Sequence, residues 1–571
     1  MSVASPRLLH TLLMRTSSVP TFGLVIAVAV ACDRQTPSKA GDEAPGGSLV
    51  AALQSDVGQV IPPTIQQVDQ KMVADQIFEP LAWLGDESRT DGDFRPALAD
   101  SWNWERDSMV VAFHMNPNAR WHDGAPVRAS DVRFTYALYT DSTVGSQEAQ
   151  ALERIDSVTV RDSLTPVFWF NARYPEQLYD AAVRMLIVPE HLLANEPRAT
   201  LQTSAFGRKP VGSGRFRLAK WSATSLELVA DTMHYRGRAK LDRVIFALTG
   251  DPNTLVPKLT TGEVDAADIA TSDQFRALST KSDFKARILP AFDYGFLQFN
   301  LRDPRRHASP HRLFGDVAFR RALTMALDRQ RLVRSQFDTL GTVALGPMTR
   351  AQPLADTTLS QIPYDSAGAA RLLDSLGWKL PQGKQIRERN GQPLAFRVIV
   401  PTISRNRMAM VVRVQEAYRA AGVQVDIDAI DPPTFMARLN KRDFDVAFNG
   451  TRAELSVSGL RPYWNVAGAR DPRGHNYGTY ENPAFDAHLD SALASADIAT
   501  ARAHASKAFA TIVADAPAVW MYETRTASVT HKRFRTAHVV PTAWWLGIGD
   551  WFIPPDERLP RDRVGLRVAS R

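Results

Sequence analysis

LAFRVIVPTISRNRMAMVVRVQEAYRAAGVQVDIDAIDPPTFMARLNKRDFDVAF, residues 394–448, switches repeatedly between two apolar periods, and those switches decide the fold. Leu394, Phe396, Val398 and Val400 alternate as in a strand. Met408, Val411, Val412 and Tyr418 then fall at helical spacing, and Gly422 supplies a helix end. Val423, Val425, Ile427 and Ala429 alternate against Gln424, Asp426 and Asp428, predicting a second strand. Asp431 followed by Pro432 suits an N-cap with proline at the first helical position. A short helix over Phe435–Asn440 then leads to a strand over Phe444–Phe448. The order β-α-β-α-β implies a parallel sheet within an α/β fold.

A similar unit lies upstream. Leu259-Thr-Thr-Gly-Glu263-Val264-Asp265-Ala-Ala matches Leu439-Asn-Lys-Arg-Asp443-Phe444-Asp445-Val-Ala, both reading as helix, turn and strand. Two lobes of related topology would produce such a pair. Phe319, Ala322, Leu323 and Ala326 form another helix face with Asp316 as its N-cap, and the arginines around them read as its solvent side.

At 571 residues, with 44% hydrophobic and 9% aromatic content, the chain can bury ample core across two or three domains. Lys plus Arg number 68 against 61 Asp plus Glu, a net charge of +7, but the charge is dispersed except for the tail from Arg558 to Arg571. A nucleic-acid partner needs clustered basic residues with stacking aromatics, which the interior lacks.

Cys32 is the only cysteine. It follows a weakly basic lead (Arg7, His10, Arg15) and an apolar run, Thr21–Ala31, too short to span a bilayer. Ala29-Val-Ala-Cys32 resembles the lipobox of bacterial lipoproteins, which implies a signal peptide over residues 1–31 and lipidation at Cys32. Residues 32–46 are polar, with Pro and Gly, and read as a flexible tether. Beyond Cys32 neither a disulfide framework nor a cysteine-ligated metal is available.

Several segments in order are similar to one family, the extracytoplasmic solute-binding proteins of peptide and nickel type that serve ABC importers. They are Phe94-Arg-Pro-Ala-Leu-Ala-Asp-Ser-Trp102, Trp121-His-Asp-Gly-Ala-Pro126, Pro210-Val-Gly-Ser-Gly-Arg-Phe216, Gly262-Glu-Val-Asp265, Phe299-Asn300-Leu, and Phe319-Arg-Arg-Ala-Leu. Asp443-Phe444-Asp445 and Asp515-Ala-Pro517 complete the set. The resemblance implies a two-lobed periplasmic binding protein fold of type II, with an extra subdomain in the first lobe and a hinge between lobes. Lobe I is expected over residues 47–295, with the subdomain at about 91–209, lobe II over 296–520, and a C-terminal return to lobe I over 521–571. The chain would cross near Asn300 and return near Trp520. Hinge closure around the crevice beyond the strand ends would bury a solute.

The implied function is capture of a small solute, foremost a peptide, outside the cytoplasmic membrane and its delivery to an ABC permease with a cytoplasmic ATPase. The protein would act as a monomer held to the membrane by its lipid, without a cofactor. In peptide-binding members an acid just after the strand here at Phe444–Phe448 pairs with the peptide ammonium, and Glu454 falls there. The family pattern Gly-Trp-x-x-Asp-Tyr is replaced by Gly450-Thr451-Arg452-Ala453-Glu454-Leu455, so both aromatics are missing and Arg452 is placed to neutralise Glu454. Thr451, Asn300, and Tyr463 with Trp464 are the other cleft candidates, the aromatics standing in for the missing Trp. Trp544, Trp545 and Trp551 read as packing for the returning segment.

Other cargoes on the same fold are a nickel chelate or an oligosaccharide. Scattered histidines do not indicate direct nickel ligation. A secreted hydrolase is a distant alternative: a metal site at His122-Asp123 would need further histidines and carboxylates converging on it, the stretch instead resembles the family's structural turn, and Gly212-Ser213-Gly214 lacks the Gly-x-Ser-x-Gly spacing of a nucleophile elbow.

Overall fold

The computed structural model describes residues 44–85, 94–453, 456–471, 474–495, 497–536 and 543–563. Cys32, the signal segment and all of the expected tether before residue 44 lie outside them. The tether's last residues are already fastened, since Gly46 N–H donates to Lys240 O at 2.8 Å.

The segment 394–448 folds as its periodicity predicts. Strand Ala395–Pro401, helix Arg405–Ala420, strand Gln424–Ile430, helix Pro432–Asn440 and strand Val446–Arg452 follow one another. The three strands run parallel, with Ala395–Pro401 in the middle. Asp431 accepts from Thr434 N–H at 3.0 Å as the N-cap, and Gly422 takes φ +82°. The last strand starts two residues later than expected and extends to Arg452, because it pairs antiparallel with a longer strand alongside it.

That neighbour, Phe284–Phe299, and its own partner, Ala518–His531, organise the molecule. Within one eleven-stranded sheet they separate two families of strands. On one side lie Val446–Arg452, Ala395–Pro401 and Gln424–Ile430. On the other lie Ala266–Ile269, Ser48–Leu53, Arg243–Leu248, Ser225–Ala230 and Phe216–Trp221. The first half of Phe284–Phe299 pairs as far as Pro290 opposite Arg525. Pairing then breaks and resumes at Tyr294 opposite Glu523, where the lobe II strand joins. Partners therefore change over Pro290–Tyr294 and Glu523–Arg525, earlier than Asn300 and later than Trp520.

The apolar cores divide the same way. Residues 49–288 and 527–553 supply the clusters on one side, and residues 294–522 those on the other, except for Leu340, which packs with the first set. A separate antiparallel sheet of four strands, Ala99–Glu105, Val110–Met115, Thr165–Phe170 and Ile155–Asp162, has its own core around Phe113, Phe168 and Trp121.

The paired helix-turn-strand units prove to be structural equivalents. Asp265 Oδ2 accepts from Val50 N–H at 2.9 Å, and Asp445 Oδ2 accepts from Arg397 N–H at 3.0 Å. Each aspartate thus fixes the backbone of the next strand in its own lobe. One expectation is corrected: Arg320, on helix Val317–Met325, is 3% exposed and donates to the carbonyls of Phe314, Asp515 and Ala516. A guanidinium can be buried there because those carbonyls satisfy it.

Candidate functional site

The parallel strands of both lobes aim their carboxyl ends at the same place. In lobe I these ends are Leu53, Leu248 and Ile269, and in lobe II they are Pro401, Ile430 and Arg452. Ile269 pairs opposite Ala527 and Arg452 opposite Asp293, so both sets finish at the break in the two crossing strands. Ligand crevices of open α/β sheets form beyond the carboxyl ends of strands. The cleft is therefore floored by Pro290–Asp293 and Thr524–Thr526.

On the lobe II wall, Thr451 and Arg452 are the final strand residues, opposite Tyr294 and Asp293. Arg452, one candidate partner for Glu454 in the sequence, pairs among the described residues with Asp293, at 3.1 Å, in a pair open to solvent. Its guanidinium also lies over the Phe292 ring. Glu454 itself falls outside the described residues, between Ala453, whose N–H donates to Phe292 O at 2.7 Å, and the buried Ser456.

The remaining candidates divide. Tyr463 is half-buried, with its ring 5.3 Å from that of His475. Trp464 is 1% exposed and sits edge-on to Trp520 at 5.1 Å, so it is a core residue rather than a cleft wall. Asn300 is also corrected. It is fully buried, its amide donates to Arg442 O at 2.9 Å and Phe444 O at 3.0 Å, and its Oδ1 accepts from Arg302 N–H. With its amide committed to backbone, it ties the first crossing strand to lobe II.

Sequence reasoning missed the lobe I wall. Asp268, one residue from the end of strand Ala266–Ile269, accepts from Trp544 Nε1 at 2.9 Å. Asp69 stands nearby and receives the N–H groups of Gln54 and Ser55 at 3.0 and 2.7 Å, just past the end of strand Ser48–Leu53. Burial pushes the Asp268 carboxyl up to about 7; the Trp544 N–H opposes the rise and the Asp69 charge adds to it. Trp544, Trp545 and Trp551 pack in the lobe I core.

Between the walls, Glu523 is 1% exposed, bound by the N–H groups of Leu345 and Arg350 and by the Arg350 guanidinium at 2.8 Å. Burial raises its carboxyl, and these donors oppose the rise. In the inserted subdomain Glu176 is 1% exposed, and its Oε2 has no hydrogen-bond partner among the described residues. Burial pushes its carboxyl up to about 7, the Asp180 charge adds to this, and Arg154 and the Ser456 hydroxyl oppose it.

No group of His, Cys, Asp and Glu among the described residues is placed to hold a metal ion. His122 instead accepts from Gly212 N–H through Nδ1 and bonds Gly214 O through Nε2 at 2.8 Å, which joins two turns. No helix among the described residues is long and apolar enough to cross a membrane.

Residues 93–468 match the family model of bacterial extracellular solute-binding proteins, family 5. The oligopeptide-binding protein AppA of Bacillus subtilis is 26% identical over 439 residues, 75% of this chain and 77% of AppA. The structure of AppA from Bacillus subtilis in complex with a nonapeptide superimposes with a TM-score of 0.67 at 21% identity, covering 89% of this chain and 99% of AppA. NikZ from Campylobacter jejuni in complex with Ni(L-His) gives a TM-score of 0.67 at 22% identity, covering 89% of this chain and all of NikZ.

Proposed function

Because the chain belongs to the bacterial extracellular solute-binding proteins of family 5, we propose that its solute is a peptide, captured between the lobes and passed to an ABC permease. The observation that carries this reading is the likeness to AppA, an oligopeptide-binding protein, over three-quarters of the chain. An extended peptide in such a crevice is held largely through main-chain hydrogen bonds, which gives affinity with loose sequence preference. Closure turns about Pro290–Tyr294 and Glu523–Arg525, where the crossing strands lose their regular pairing. The ligand drives closure only by binding the closed state more tightly than the open one.

Glu454 is the anchor for the peptide ammonium. Among the described residues, its neighbour Arg452 pairs with Asp293. The bound solute leaves chemically unchanged. Cys32 carries the lipid that holds the exported chain at the membrane, and the protein works as a monomer.

Calorimetry with peptides bearing free or acetylated amino termini tests the anchor. The wild type should favour free termini, and Glu454→Gln should remove about tenfold or more of that preference. An unchanged preference in Glu454→Gln ends the anchor assignment. A wild type that binds no peptide and takes up a metal chelate ends the peptide reading itself.

A further inference from the structure

The crossing strands are not the only tie between the lobes. Helix Ser272–Ser279 follows strand Ala266–Ile269 of lobe I. Helix Arg329–Phe337 packs in the lobe II core, and the turn after it, Asp338–Leu340, lies against the lobe I helix. Three contacts join them. Ser272 Oγ donates to Phe337 O at 2.7 Å, Arg276 pairs with Asp338, and Leu340, 7% exposed, enters the lobe I cluster that holds Leu278. The turn then runs into Gly341–Thr342, which pairs opposite Thr524 and Glu523 of the crossing strand. These contacts therefore flank the place where the strands change partners.

Asp338 is strained. Its φ is +48° and its ψ −120°, a conformation that suits glycine and costs an L side chain energy. Such a residue persists only where its surroundings hold it. Within lobe II its N–H donates to Arg334 O, as the end of the helix. Lobe I supplies the rest: the Ser272 hydroxyl on the residue before it, Arg276 on its own carboxylate, and the cluster around Leu340 two residues on. The ion pair by itself adds little, because both side chains are exposed. Burial of Leu340 and the hydroxyl bond are the firmer part.

We propose that Phe337–Leu340 is a clasp between the lobes, a strained turn of lobe II seated on helix Ser272–Ser279 of lobe I, which confines hinge motion to one path. Two strands alone would let the lobes twist as well as close. A third point of contact beside them removes that freedom, so less conformational entropy is lost when the lobes shut on a solute. The clasp belongs to the unliganded lobes and serves any cargo.

Spin-label distances test it. Lys220→Cys and Asp426→Cys place labels on exposed positions of the two outermost strands of the sheet, one in each lobe, and Cys32→Ser removes the remaining thiol. Double electron–electron resonance on this parent, without ligand, should give one narrow distribution of interlobe distances. Adding Ser272→Ala with Arg276→Ala should broaden it about twofold or more. Asp338→Ala, which loses the ion pair and keeps the strain, should broaden it similarly. Asp338→Gly, which loses the ion pair and relieves the strain, should stay closer to the parent. Arg276 and Asp338 are exposed, so these changes leave the cores intact. A broad distribution in the parent overturns the clasp, and so does an unbroadened one in both the Ser272→Ala, Arg276→Ala pair and Asp338→Ala. An Asp338→Gly distribution broader than that of Asp338→Ala overturns the part given to strain.

Discussion

Asn300 shows how a single residue divides structure from ligand chemistry. Its side-chain amide donates to two backbone carbonyls, those of Arg442 and Phe444. Asn300→Ala should therefore cost about 2–3 kcal/mol of stability in urea unfolding, while peptide affinity at low temperature stays within about twofold of wild type. A large loss of affinity without loss of stability would return Asn300 to the cleft. The sequence could not separate these roles. A polar amide before a loop, like an aromatic such as Trp464, has the same chemistry whether it touches ligand or core. Asp268 was illegible for a different reason: its environment is set by Trp544, 276 positions away in the chain. Thr451 and Arg452 could be picked out from sequence because they close the last strand of the βαβαβ segment, and strand ends are where clefts of such sheets form.

Among the elements, the crossing strands carry the mechanism. Phe284–Phe299 reads FKARILPAFDYGFLQF and contains Pro290 and Gly295, so its alternation fails just where its partners change. The segment 394–448 was legible because each element keeps one environment along its length. A strand shared by two lobes does not. Gly295 lies in this passage against the Tyr522 ring, and a Cβ there would come within 2.3 Å of it. Gly295→Ala must displace Tyr522 and should destabilise the protein by about 1–3 kcal/mol. It should also alter peptide affinity, because the displaced ring lies beside the hinge. Chemical denaturation with calorimetry measures both, and full stability with unaltered affinity would show that this crossing tolerates movement. The equivalent roles of Asp265 and Asp445 were anticipated only as a nine-residue match. Their hydrogen bonds supply the physical reason for it.

At the scale of the whole molecule, proton uptake reports on the enclosed acids. Asp268 and Glu176 are both raised to about 7 from ordinary values of 3.8 and 4.5. Between those values and about 7 the folded state holds more protons than the unfolded state, so stability falls as pH rises. The contribution of these two groups is full below about pH 4 and lost above about pH 7. Thermal melts of Asp268→Asn and Glu176→Gln should show a weaker decline from pH 5 to pH 7.5 than the wild type. Parallel profiles would mean that neither carboxyl is raised. The two-lobed architecture was legible as an ordered set of weak motifs, whereas the position of its hinge required the pairing of strands far apart in sequence.

The proposed cargo of the cleft between the lobes is a peptide. Native mass spectrometry of the mature protein, purified without denaturation and then activated to release its cargo, tests it most directly. A ladder of peptide masses is the predicted result; a single non-peptide mass, or a metal chelate, would contradict it.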